Sequence, residues 1–199
     1  RILVCYYNYT ATNSYACIIN VADNGTITVG TPLLISSANM AGYESRLILL
    51  TTTKAVWFYD IGTSNACVAF SIPVTSTTLT TCGTPAAIGS GADDIDACRI
   101  DDNHAIAFYA NNGTTETIHT RVLEISDALV ITAGTEVDTS TTRASTIPMR
   151  SMNLAEELAL CVYAASSMEI GYKIISINAE TLAPITISAG TIISGTTSI

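Results

Sequence analysis

Lysine is nearly missing from this 199-residue chain: Lys54 and Lys173 are the only two, and Lys plus Arg number 8 against 17 Asp plus Glu, a net charge of −9. A surface so poor in cations lacks the footprint that neutralises phosphates or anionic lipid heads, so neither nucleic acid nor a membrane surface is an expected partner. Long apolar runs are missing too. No uninterrupted stretch approaches the roughly 18 to 20 residues of a membrane-spanning helix, although mean hydropathy is +0.40. Charged residues of both signs are 13% of the chain, about half the usual quarter of a soluble domain.

The equipment for most chemistry is also missing. There are two histidines, His104 and His119, no Gly-x-Ser-x-Gly elbow and no sialidase Asp-box pattern. A Ser or Cys nucleophile needs a base and an orienting group, and both histidines are read as exposed structural residues. Gly89-Ser90-Gly91 is not followed by the lysine of a phosphate loop. The six cysteines, Cys5, Cys17, Cys67, Cys82, Cys98 and Cys161, lie 12, 50, 15, 16 and 63 residues apart without a Cys-x-x-Cys pair. Zinc and redox motifs are therefore unsupported. Segments such as Ala66-Cys67-Val68-Ala69-Phe70 make the thiols buried small hydrophobes. No metal, cofactor or catalytic residue is expected.

What the chain does contain is hydroxyls and a repeat. Ser and Thr together number 48. Three anchors recur in constant order. An apolar run ends in tyrosine at Tyr7, Tyr59, Tyr109 and Tyr163, with spacings of 52, 50 and 54. A second run ends at Val21, Ile72, Ile125 and Ile177, and a Thr-rich strand closes on Gly30-Thr31, Gly83-Thr84, Gly134-Thr135 and Gly190-Thr191. Before the tyrosine run, Ile48/Leu50, Cys98/Ile100 and Met152/Leu154 alternate with polar residues at period two, which marks a strand. Short polar turns such as Thr51-Thr52-Thr53-Lys54 and Asp101-Asp102-Asn103-His104, and the Asn24-Gly25 pair, read as hairpins.

Four-stranded antiparallel units repeated at about 52 residues are the pattern of a β-propeller. The predicted fold is all-β, with blades at residues 1–44 (lacking a first strand), 45–95, 96–146 and 147–199. Either the tail after Gly190 adds a strand to the first unit and closes a four-bladed disc, or the blades belong to a larger propeller; Thr191 to Ile199 is too short for both a linker and the missing strand, so the second is expected, with the chain a piece of a longer polypeptide.

The run Ala55 to Tyr59, Ala105 to Tyr109 and Ala159 to Tyr163, the Ser71-Ile72 and Ser176-Ile177 strand ends, and the segments Thr26 to Thr31 and Thr78 to Thr84 resemble degenerate propeller repeats of phage virion proteins, tail-fibre and surface-exposed components above all. The resemblance implies a virion or cell-surface setting outside the cell, in a larger homo- or hetero-oligomer. The expected partners are other assembly proteins or a host-surface glycan. It carries no site residue over.

Candidate binding residues come from the chain itself. Asp93, Asp94 and Asp96, with Asp101 and Asp102 beyond them, are the densest acidic cluster; they are read as solvated acids of an inter-blade linker and a hairpin turn. Arg46 and Arg150 hold equivalent places at the start of a first strand, where a guanidinium fork suits an inter-blade ion pair or a carboxylate ligand. The expectation is a non-enzymatic structural or recognition module. The alternative is a carbohydrate-binding or glycoside-hydrolysing propeller, whose chemistry would need a carboxylate pair at defined separation.

Overall fold

The computed structural model describes residues 1–37, 45–61, 64–73, 76–90, 94–110, 116–143, 149–166, 169–178 and 180–194. Among the described residues, seventeen strands form four antiparallel sheets in chain order. The first holds β1 (Ile2–Asn8), β2 (Asn13–Val21), β3 (Ile27–Val29) and β4 (Leu33–Ser36); the second β5 (Ser45–Leu49), β6 (Lys54–Asp60), β7 (Ser64–Ser71) and β8 (Ala86–Ser90). The third holds β9 (Asp94–Arg99), β10 (His104–Ala110), β11 (Thr117–Ile125), β12 (Ile131–Ala133) and β13 (Val137–Thr142), and the fourth β14 (Arg150–Ala155), β15 (Leu158–Ser166), β16 (Glu169–Asn178) and β17 (Ala183–Ser194). In the first and third sheets the outer position is shared by two short strands, β3 with β4 and β12 with β13. No helix occurs among the described residues, and the all-β, four-sheet expectation holds.

The hairpins follow from local chemistry. Gly25 takes φ +82°, its amide donates to Ala22 O (2.8 Å), and Asn24 Oδ1 accepts the Thr26 amide (3.0 Å). The turns at 51–53 and 101–103 close alike: the amides of Leu50 and Ile100 donate to Lys54 O and His104 O, both at 2.9 Å.

The sheets stack face to face, and three apolar clusters fill the joints. Leu3, Cys5, Ala16 and Ile18 of the first sheet pack on Trp57, Tyr59 and Val68 of the second. Val56, Phe58 and Ala69 on the second sheet's other face pack on Ala107, Tyr109 and Leu123 of the third. Ile106, Phe108 and Val122 pack on Cys161, Tyr163 and Ile175 of the fourth. The middle sheets are covered on both sides, which is why β6 is apolar throughout Ala55 to Tyr59 instead of alternating with polar residues.

Register corrects one repeat anchor. The amides of Gly30, Gly83 and Gly134 donate to Ile18 O, Ala69 O and Val122 O at 2.8, 2.8 and 2.9 Å, and these residues pair with Leu3, Val56 and Ile106. Three residues further on stand Tyr6, Tyr59 and Tyr109. Tyr163 follows Leu160, the partner of Ile174, in the same way. The first-sheet counterpart is therefore Tyr6, not Tyr7; Tyr7 shares the face of Leu3 and Cys5. A slip of one residue moves a side chain to the opposite face of a sheet, and two adjacent tyrosines conceal it in the sequence.

The recurring glycine has a physical cause. A Cβ on Gly30, Gly83 or Gly134 would overlap the carbonyl oxygen of Thr77, Leu129 or Leu182, each in a turn of the next sheet. Gly190 departs from this: it lies opposite Tyr172, and the nearest atoms to a Cβ there belong to that side chain, at 3.0 Å, not to a turn carbonyl. Gly134→Ala is accordingly expected to destabilise by about 1–3 kcal/mol and Gly190→Ala by less than about 0.5 kcal/mol. Urea titration of Trp57 fluorescence measures both; equal losses would remove the glycine from the joint.

Candidate functional site

The first strands of the last three sheets, β5, β9 and β14, run side by side, with Arg46, Asp96 and Arg150 at the same ladder position, opposite Phe58, Phe108 and Val162. The equivalence of Arg46 and Arg150 thus holds. Asp96 is the member that the sequence reading assigned to a linker.

Asp94 and Asp96 are not solvated loop acids. Both lie in β9 and are 2% exposed. Being two residues apart in a strand, they point to the same side, toward the fourth sheet. Asp96 Oδ1 takes Arg46 Nε at 3.2 Å from the second sheet, and Asp96 Oδ2 accepts the Ser151 amide at 2.5 Å and the Ser151 hydroxyl at 3.0 Å from the fourth. Asp94 Oδ2 accepts Arg143 Nη1 (2.6 Å) and the Met149 amide (2.7 Å), and Arg143 Nε lies 2.9 Å from Glu116 Oε2. Burial raises the Asp94 carboxyl above its ordinary value, opposed by the Met149 N–H and the Arg143 charge. Asp93 lies outside the described residues.

Asp101 and Asp102 do sit in a solvated turn, with side chains 44% and 68% exposed. Asp101 Oδ1 accepts the amides of Asn103 and His104, both at 2.7 Å, and Asp102 pairs with Arg99 at 2.5 Å. Burial works against ionisation of Asp101, but those amides and the His104 ring outweigh it and hold the carboxyl low. The histidines are less exposed than expected, at 16% for His104 and 12% for His119. His104 pairs with Asp101 (2.8 Å) and His119 with Glu136 (3.0 Å), while the His119 ring stacks on Tyr109 at 5.7 Å.

The scarce cations serve the joints. Arg1 donates to Pro73 O, Arg121 to Ile88 O, and Lys173 to Thr139 O, while Arg46 reaches Asp96. Lys54, expected in a turn, opens β6 with its side chain 8% exposed and reaches Asn103 Oδ1, Ile125 O and Asp127 Oδ1 of the third sheet. Five of the eight Lys and Arg thus tie one unit to the next. Nothing in the composition marks them as ties between units, because the partners are mostly backbone carbonyls of remote residues.

All six cysteines are free thiols. Burial pushes Cys5, Cys67 and Cys98 up to about 12, so they stay protonated at neutral pH and are poor nucleophiles.

Beside the polar ladder lies an open groove of about 640 Å³, lined among others by Arg46, Arg99, Ser151 and Asn153. Among the described residues no group of three or more His, Cys, Asp or Glu could hold a metal ion.

No protein-family model matches the chain, and no curated protein does. Among solved structures, a protein of Bacteroides fragilis provisionally titled a 6-phosphogluconolactonase superposes with a TM-score of 0.51 at 12% identity, over 96% of this chain and 55% of that one. At that identity the likeness shows the fold alone, that of a β-propeller. The chain spans about half the length of that protein.

Proposed function

We propose that this chain is a non-enzymatic structural and recognition module of an extracellular assembly, a virion or a cell surface, and that it holds partner proteins or a surface glycan through the loops joining its strands. The observation that carries this reading is what the inner-strand carboxylates do. Asp94 and Asp96, the strongest candidates for acid chemistry, are 2% exposed and committed to bonds with Arg143, Met149, Arg46 and Ser151. A catalytic acid must come within hydrogen-bond reach of its substrate; these two fasten neighbouring sheets. A rigid stack of sheets presenting loops suits recognition, and a hydroxyl-rich, lysine-poor surface suits exposure outside the cell.

A second reading, a carbohydrate-binding or glycoside-hydrolysing propeller, draws on the groove beside Arg46 and Arg99, whose side chains are 47% and 49% exposed. Glycan-array binding together with assays for glycoside and lactone hydrolysis separates the two. Selective binding without turnover, or stable incorporation into a particle, is the expected result. Turnover that disappears in Asp96→Asn would overturn the first reading.

A further inference from the structure

The cations that tie one sheet to the next differ in how completely their donors are used. Lys54 is buried and places the hydrogens of its ammonium on Asn103 Oδ1, Ile125 O and Asp127 Oδ1. Arg46 does otherwise. A guanidinium carries five N–H donors, and among the described residues Arg46 commits only Nε, to Asp96 Oδ1 at 3.2 Å, while its side chain stays 47% exposed. An ion pair between sheets needs neither the spare donors nor the exposure.

Those donors lie along the groove beside the inner strands. Arg46 stands on the face of β5 that carries Ile48 toward the third sheet, and Arg99 on the face of β9 that carries Ala97 toward the second. The two arginines therefore meet the same joint from opposite walls, and both line the groove. Arg99 donates through Nε to Asp101 O (3.1 Å) and through Nη2 to Asp102 (2.5 Å), which leaves it three N–H. Asp96, itself 2% exposed and fixed by the Ser151 amide, grips Arg46 at Nε and leaves the two Nη groups as a pre-set fork. From the fourth sheet, Ser151 and Asn153 complete the polar lining. The Ser151 hydroxyl gives its hydrogen to Asp96, so its oxygen is left as an acceptor.

Charge selects the ligand. Each arginine already faces one carboxylate, Asp96 or Asp102, so the four groups carry no net charge. Such a site has donors for a monoanion but no surplus charge to balance a phosphate dianion. Ser151 and Asn153 offer partners for hydroxyls, and Leu49, 57% exposed, offers an aliphatic surface for the C–H face of a sugar ring. A volume of about 640 Å³ lies within the usual range of small-molecule sites.

We propose that this groove binds a carboxylate-bearing sugar, a hexuronate or a sialate, with its carboxylate on the Arg46 fork, Arg99 beside it and its hydroxyls on Ser151 and Asn153. Such binding rests on the glycan branch of the reading above, and it draws on neither the outward face of the first sheet nor that of the fourth.

Calorimetric titration of the full chain with sodium glucuronate, N-acetylneuraminate, glucose, the methyl ester of glucuronate and glucose 6-phosphate tests it. Glucuronate or N-acetylneuraminate is expected to bind with a Kd in the millimolar range, and which of the two binds tells the source of the carboxylate. Glucose and the ester should bind at least about tenfold more weakly, the factor for one lost charge-assisted hydrogen bond. Arg46→Lys keeps a positive charge for Asp96 but removes the fork, and should weaken the acid at least about tenfold. Arg99→Ala, at an exposed position, should weaken it about threefold or more. Trp57 fluorescence verifies that each variant is folded. Equal affinity for the acid and its ester overturns the proposal, as do tighter binding of glucose 6-phosphate, unchanged affinity in Arg46→Lys, and failure of both acids to bind. If both acids fail while a neutral glycan or a partner protein binds, the recognition role stands and only the ligand assigned to this groove falls.

Discussion

Arg143→Ala is expected to cost about 3–5 kcal/mol of folding stability at neutral pH, the usual loss when one partner of a buried ion pair is removed. Arg143 is 2% exposed at its side chain and stands between two buried carboxylates, Asp94 at 2.6 Å and Glu116 at 2.9 Å. Without it both acids keep their desolvation and lose their counter-charge. The loss should depend on pH, with a sign that follows from Asp94. Its carboxyl is already raised in the folded chain, so the native state takes up that proton before the unfolded chain does. Removing the arginine raises it further. The stability missing at pH 7 should therefore return in part as pH falls to about 5, where protonation neutralises the buried acid. Urea titrations at the two pH values measure it. A loss independent of pH would mean that the guanidinium serves by packing alone. Since small domains hold about 5–15 kcal/mol in total, the variant will be marginal at pH 7.

Trp57→Ala is expected to cost a similar amount, about 3–5 kcal/mol, as for other large-to-small changes in a core. Trp57 is 1% exposed in β6, lies 4.6 Å from the Tyr59 ring, and belongs to the cluster joining the second sheet to Ala16 and Ile18 of the first. Truncation leaves a cavity at the joint between two sheets. Backbones on both sides are held by ladder hydrogen bonds and cannot collapse into it, which places the cost toward the upper end. As Trp57 is the chain's single tryptophan, the variant is followed by far-ultraviolet circular dichroism against urea. Trp57→Phe should restore most of the loss. A deficit below about 1 kcal/mol for the alanine variant would show that the first sheet does not depend on this contact.

The anchors legible in the sequence are those whose causes are local or strictly periodic. Val21, Ile72, Ile125 and Ile177 align as read, and so do Ile48, Cys98 and Met152, because each sits at the same ladder position of a like-paired strand. The glycines Gly30, Gly83 and Gly134 stand out in the sequence, but their reason lies in the next sheet, where a turn carbonyl occupies the space of a Cβ. Tyr6 against Tyr7 could not be resolved by spacing. Both are tyrosines, and only the pairing of Leu3 with Ile18 shows which one points to which face.

The polar residues are less legible, for a different reason. Asp94 and Asp96 sit in a run of acids, a pattern that suggests solvent; only the arrival of Arg143, Met149, Arg46 and Ser151 from residues up to 55 positions away makes their burial possible. Lys54 likewise reads as a turn residue until Asn103 and Asp127 close over it. The sequence by itself determined the strand class, the four units and their hairpins, since alternation and turn residues act over a few positions. Tertiary structure alone decided which carboxylates are buried and which faces meet at each joint, because burial of a charge and the covering of a sheet depend on groups that the chain brings together only when sheets stack.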